Sequence, residues 1–112
     1  MINLNNKKFR AISNTDNGEL SKDFIFHYKQ TGNVLTCLYK GEEIVEGQLL
    51  GVILEDNSIN IRYQQINIKG EIRTGICQSK IIVQASGKIR IEENWQWTSG
   101  NKSKGFSVLE EC

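Results

Sequence analysis

The segment Glu92-Glu93-Asn94-Trp95-Gln96-Trp97-Thr98 holds the residues best suited to chemistry. It lies in a run where Ile89, Ile91, Glu93, Trp95 and Trp97 alternate with polar positions. A period of two belongs to a strand, whose successive side chains point to opposite faces. Glu93 therefore shares one face with two indoles and two isoleucines. A carboxylate there is costly unless it is paired or hydrogen-bonded. Held in that way, it orients a bound ligand or moves a proton as a general acid or base. The other reading is a bulge that turns Glu93 out to solvent.

Further polar-aromatic side chains lie in other strand-like runs. Tyr28, Tyr39 and Tyr63, together with Trp95, Trp97 and Glu93, would make an amphipathic lumen for a small polar-aromatic ligand. As plain core filler, the same rings would simply pack. After Tyr63 the alternation changes phase: Ile59, Ile61 and Tyr63 share one phase, Ile66 and Ile68 the other. A bulge at Gln64-Gln65 would reconcile them and aim Arg62 or Gln65 inward as a partner for Glu93. A solvated Arg62 is the competing reading, because charges are seldom buried.

Other chemistries find few residues. His27 is the single histidine and sits between Phe26 and Tyr28, in the phase opposite the aromatics. A Ser–His–Asp or Cys–His set would have to use it. There is no GxSxG, no P-loop and no GxGxxG. Cys37, Cys77 and Cys112 form no CxxC, so a zinc site lacks ligands and no metal is expected. Cys37 and Cys77 read as small core hydrophobes. No cofactor is implied.

The elements that must position these residues are strands. Seven turn clusters recur: Asp16-Asn17-Gly18, Thr31-Gly32-Asn33, Lys40-Gly41-Glu42, Glu55-Asp56-Asn57, Lys69-Gly70-Glu71, Ser86-Gly87-Lys88 and Ser99-Gly100-Asn101. Gly and Asn tolerate the positive φ of tight hairpins. The turns leave eight runs, at Lys8–Asn14, Lys22–Gln30, Val34–Tyr39, Glu43–Leu54, Ser58–Ile68, Ile72–Gln84, Ile89–Thr98 and Ser103–Glu110. Fifteen Ile against two Ala favour a pleated surface over a helix. No ten-residue window keeps a helical stripe. The expectation is an all-β chain, a single eight-stranded antiparallel up-and-down barrel over residues 1–112, with little or no helix. Gly47, Gly75 and Gly105 fall near one end of such a barrel, as corner kinks or as room for a ligand at that mouth.

Composition narrows the partners. In 112 residues there are 14 Lys+Arg and 13 Asp+Glu, a net charge of +1. That gives no basic footprint for nucleic acid and no electrostatic reason to seek a membrane surface. No segment is long and apolar enough to span a bilayer as a helix, and Met1–Arg10 lacks the apolar stretch of a signal peptide. A cytoplasmic location is expected, with self-association left open.

Arg62-Tyr63-Gln64-Gln65, Thr74-Gly75-Ile76-Cys77, Glu93-Asn94-Trp95-Gln96-Trp97-Thr98-Ser99-Gly100 and Ser103-Lys104-Gly105 resemble a family of short bacterial proteins. The resemblance covers nearly the whole chain. Members of that family often carry the name N-acetylglutamate synthase. That activity belongs to an α/β acetyltransferase fold with a Gly-rich loop at a helix start, and this chain has neither feature. In architecture it is similar to the calycins, the barrels of lipocalin and avidin type, although the early Gly-x-Trp of lipocalins is absent. This likeness implies a ligand-binding lumen. The expected function is small-molecule binding, with Glu93, Trp95, Trp97, Tyr63, Arg62, Tyr39, Tyr28 and Gln65 around the ligand. The alternatives are a small enzyme of acyl transfer or isomerisation with Glu93 as acid/base, or a protein-interaction module with a packed core.

Overall fold

In the computed structural model the chain forms strands and turns, with no helix among the described residues, which are 2–15, 17–19, 21 and 24–112. The strands are β1 (Lys8–Asn14), β2 (Ile25–His27), β3 (Lys29–Thr31), β4 (Val34–Tyr39), β5 (Ile44–Ile53), β6 (Ser58–Asn67), β7 (Ile72–Val83), β8 (Ile89–Trp97) and β9 (Lys104–Glu111). Lys22 and Asp23, at the start of the expected second run, and Asp16 of the first turn lie outside the described residues. The remaining boundaries follow the turn clusters to within a few residues. At Asn57, Gly70 and Gly87 the chain adopts φ of 65°, 79° and 88°, the left-handed conformation that these hairpins require.

All pairing is antiparallel, in the order β2-β1-β9-β8-β7-β6-β5-β4-β3. β2 and β3 stand at opposite ends of that order yet are consecutive in the chain, so the sheet curls until its ends meet. This explains why one expected strand is two. Ile25–His27 pairs with β1 and Lys29–Thr31 pairs with β4. At Tyr28 the run leaves one side of the seam for the other. Its N–H still donates to the Lys7 carbonyl (3.0 Å) and its carbonyl accepts from Asn6 (2.9 Å). The result is a nearly closed meander whose eight runs are those of the sequence, with few free edges.

Inside, the barrel is divided along its length. One half is solid: Phe9, Tyr28, Leu35, Ile53, Ile59, Ile91 and Leu109 are each 1% exposed or less. The Tyr28 ring lies 5.4 Å from Phe9 and 6.1 Å from Phe26, centroid to centroid. The other half carries the polar and aromatic groups described below.

The expected bulge at Gln64-Gln65 is absent. β6 pairs without interruption on both sides, and the register shift in β5 falls between Ile44 and Glu46. The inward phase therefore runs straight through Ile59, Ile61, Tyr63, Gln65 and Asn67. Ile66 and Ile68 are the ones that face out, 41% and 65% exposed. A hydrophobicity pattern assigned the wrong face here because two polar amides occupy inward positions.

Candidate functional site

A row of three cross-strand partners builds the deepest polar group. Ser79 on β7, Glu93 on β8 and Ser107 on β9 stand directly opposite one another. All three are buried. The Ser107 hydroxyl donates to Glu93 Oε1 at 3.0 Å, and Ser79 also hydrogen-bonds the carboxyl. Burial pushes the Glu93 carboxyl up from 4.5 to about 7, against the opposing effect of the two serine hydroxyls. On one side of this row lies the aliphatic row Ile81–Ile91–Leu109; on the other lies Cys77–Trp95–Gly105. Glu93 thus marks the boundary between packed core and cavity.

The cavity has a volume of about 70 Å³, and its walls include Tyr39, Tyr63, Trp95 and Trp97, with Glu93, Ser107 and Gln65 among its polar lining. Trp97 meets Trp95 and Tyr63 edge-on, at centroid separations of 5.7 and 5.6 Å. Its indole N–H donates to the Asn17 carbonyl at 3.1 Å.

Glycines seat these rings. Tyr39 faces Gly47, Tyr63 faces Gly75 and Trp95 faces Gly105 as direct cross-strand partners. A Cβ on any of the three glycines would overlap the facing ring. The three glycines therefore let aromatic rings lie against the neighbouring strand, in every second hairpin. Both earlier readings, kinks or ligand room, left out this pairing.

Towards the mouth, between the β1–β2 segment and the β6–β7 hairpin, a second polar cluster forms around Glu19. Gln65 Nε2 donates to Glu19 Oε1 and Asn67 Nδ2 to Oε2, each at 2.8 Å. Arg73 Nη1 reaches Oε2 at 3.4 Å, while the guanidinium carbon sits 3.8 Å from the centre of the Trp97 ring. Tyr39 donates its hydroxyl to Gln65 Oε1 at 2.9 Å.

A family model described as "Avidin-like protein" matches residues 2–112. The chain belongs to the avidin-like family. Neither a curated protein nor a solved structure matches it. The avidin-like assignment agrees with the calycin type of barrel that the resemblance implied, and the antiparallel barrel itself with the turn spacing.

Six of the eight expected site residues, Glu93, Trp95, Trp97, Tyr63, Tyr39 and Gln65, line one cavity of this avidin-like barrel. Two do not. Tyr28 lies in the solid half, packed on Phe9 and Phe26. Arg62 is exposed, with its Nη1 on Asn60 Oδ1 (2.9 Å), because without the bulge it stays in the outward phase. The partners expected for Glu93, Arg62 or Gln65, are replaced by Ser79 and Ser107. The inward arginine is Arg73.

Glu19, Asn67, Arg73, Ser79 and Ser107 were missed. A signal existed for the serines, since each sits in the inward phase of its strand, between Cys77 and Ile81 or between Gly105 and Leu109. Arg73 shares the phase of Gly75 and Cys77 and could have been read in the same way. Glu19 lies in a loop, where no periodicity marks direction.

Proposed function

We propose that this avidin-like barrel binds a small, planar, partly polar molecule in its lumen. The observation that carries this reading is a buried carboxyl at the floor of a cavity walled by two tyrosines and two tryptophans. The next row deeper into the packed half, Ile81–Ile91–Leu109, is wholly aliphatic and carries no polar group. A buried carboxyl adds a desolvation cost that a ligand's hydrogen bond offsets. With its pKa near 7, Glu93 accepts from a ligand N–H when ionised and donates to a ligand carbonyl when protonated. The rings supply flat apolar flanks.

Catalysis has weaker support. A pKa near 7 suits a general acid or base. The candidate nucleophiles do not match it: burial pushes the Cys77 thiol and the Tyr39 and Tyr63 hydroxyls well above their usual ranges. None is an available anion near neutral pH.

Calorimetric titration with indole, benzamide, 2-pyrrolidinone and benzoate tests the reading. At least one should bind saturably at one site per chain. For a ligand that bonds Glu93, Glu93→Gln should weaken binding by about 1.5–3 kcal/mol, the worth of a hydrogen bond to a charged group. Equal affinity in wild type and variant for every binder would remove Glu93 from the site.

A further inference from the structure

We infer that Glu19 is a built-in occupant of a carboxylate-binding site, and that the ligand is a small organic acid whose carboxylate takes Glu19's place. The inference deepens the lumen-binding reading and rests on it. Its basis is the way the mouth's donors are fixed in direction.

Gln65 and Asn67 are 6% and 4% exposed, yet both direct an amide N–H at the same carboxylate. Their orientations are set elsewhere. Gln65 Oε1 is held by the Tyr39 hydroxyl at 2.9 Å, so Nε2 is the end that faces Glu19. Asn67 Oδ1 accepts from the backbone N–H groups of Lys69 and Glu71, at 3.0 Å each, closing the β6–β7 turn. Its Nδ2 then serves Glu19, and also Glu71 Oε1 at 2.9 Å. Arg73 lies over Trp97 and brings a positive charge to Glu19 Oε2. Each carboxylate oxygen of Glu19 thus meets its own amide donor, and a guanidinium adds charge. That arrangement fits a planar carboxylate.

The frame and its occupant are built differently. Gln65, Asn67 and Arg73 stand on the adjacent strands β6 and β7, or at their ends, in inward phase. Glu19 arrives from the segment between β1 and β2 and has no part in the ladder. Glu19 and Gln65 also line the aromatic cavity. An acid whose carboxylate replaced that of Glu19 would place its body against Tyr39, Tyr63 and Trp97. The wild-type affinity for such a ligand is reduced by the internal competitor.

Glu19→Ala removes the occupant and leaves the donors. Wild type and variant are melted against acetate, benzoate, acetamide, benzamide and inorganic phosphate. Acetate and benzoate should each stabilise Glu19→Ala saturably, and benzoate should bind it at least about tenfold more tightly than wild type, as expected for recovered charge-assisted bonds. Benzoate should exceed acetate, and the amides should show no such gain. Arg73→Gln in the Glu19→Ala background should abolish the preference for acids. If amides gain as much as acids, the carboxylate site is overturned while lumen binding stands. If benzoate does no better than acetate, the carboxylate site stands and the cavity is not used. Phosphate matching acetate would mean a general anion site and would overturn the carboxylate assignment. No response to either acid overturns the inference.

Discussion

Glu93→Gln should stabilise the protein at pH 8 and leave it nearly unchanged at pH 4.5. The carboxyl titrates near 4.5 in the unfolded chain and at about 7 in the fold. Between those values the native state holds more protons than the unfolded state, so wild-type stability falls as pH rises. The stabilising contribution of the neutral form is fully present below 4.5 and is lost as pH passes through 7. A difference of that size corresponds to about 3 kcal/mol. Gln cannot ionise, and its amide still offers an acceptor and a donor to Ser107 and Ser79, so the variant escapes the loss. Asp56 and Glu111 act in the opposite direction and equally in both proteins. Glu111, held low by the Ile89 N–H and Lys7, weakens the fold as acid protonates it. Denaturant melts at several pH values measure the difference between the curves. Parallel curves from pH 4.5 to 8 would mean that Glu93 is solvated.

Gly75→Ala should cost about 1–3 kcal/mol by overpacking, and Gly105→Ala at least as much. A methyl on Gly75 would overlap the Tyr63 ring; on Gly105 it would meet both the Trp95 ring and the Thr15 hydroxyl. Backbone angles play no part, because neither glycine has a positive φ. The cost therefore depends on the ring across the strand. Tyr63→Leu should destabilise on its own by loss of packing, yet the double variant Gly75→Ala/Tyr63→Leu should be more stable than the sum of the two predicts. Strict additivity would show that the ring does not rest on the glycine. The same change should weaken binding of any lumen ligand, since Tyr63 lines the cavity.

The barrel was readable because each hairpin announces itself locally. Asn57, Gly70 and Gly87 mark turns by chemistry that needs no knowledge of the partner strand. Strand phase was equally readable wherever apolar residues occupied the inside, as in Ile89–Ile91–Trp95–Trp97. It became ambiguous at Gln65 and Asn67, where the lumen itself is polar. There Ile66 and Ile68 suggested a change of phase, and a bulge that would turn Arg62 inward, while Arg73 drew no notice. Register was the second gap. The row Ser79–Glu93–Ser107 exists only when three strands are aligned, and no single strand encodes that alignment. Glu19 shows the third gap. A loop residue acquires its partners from the closed fold, so the mouth of the lumen was invisible while its walls were not.

Nitrogen-15 labelling of the two tryptophan indoles gives the most direct test of the lumen as a binding site. Trp95 and Trp97 both line the cavity, and both are buried. Indole, benzamide, 2-pyrrolidinone and benzoate are titrated while the two indole N–H resonances are followed. At least one compound should shift the Trp97 resonance, with Trp95 moving in step, to saturation at one equivalent, and Glu93→Gln or Glu19→Ala should change the affinity. Two indole resonances that stay fixed through every titration, in wild type and in both variants, would contradict it and leave a barrel with a closed core.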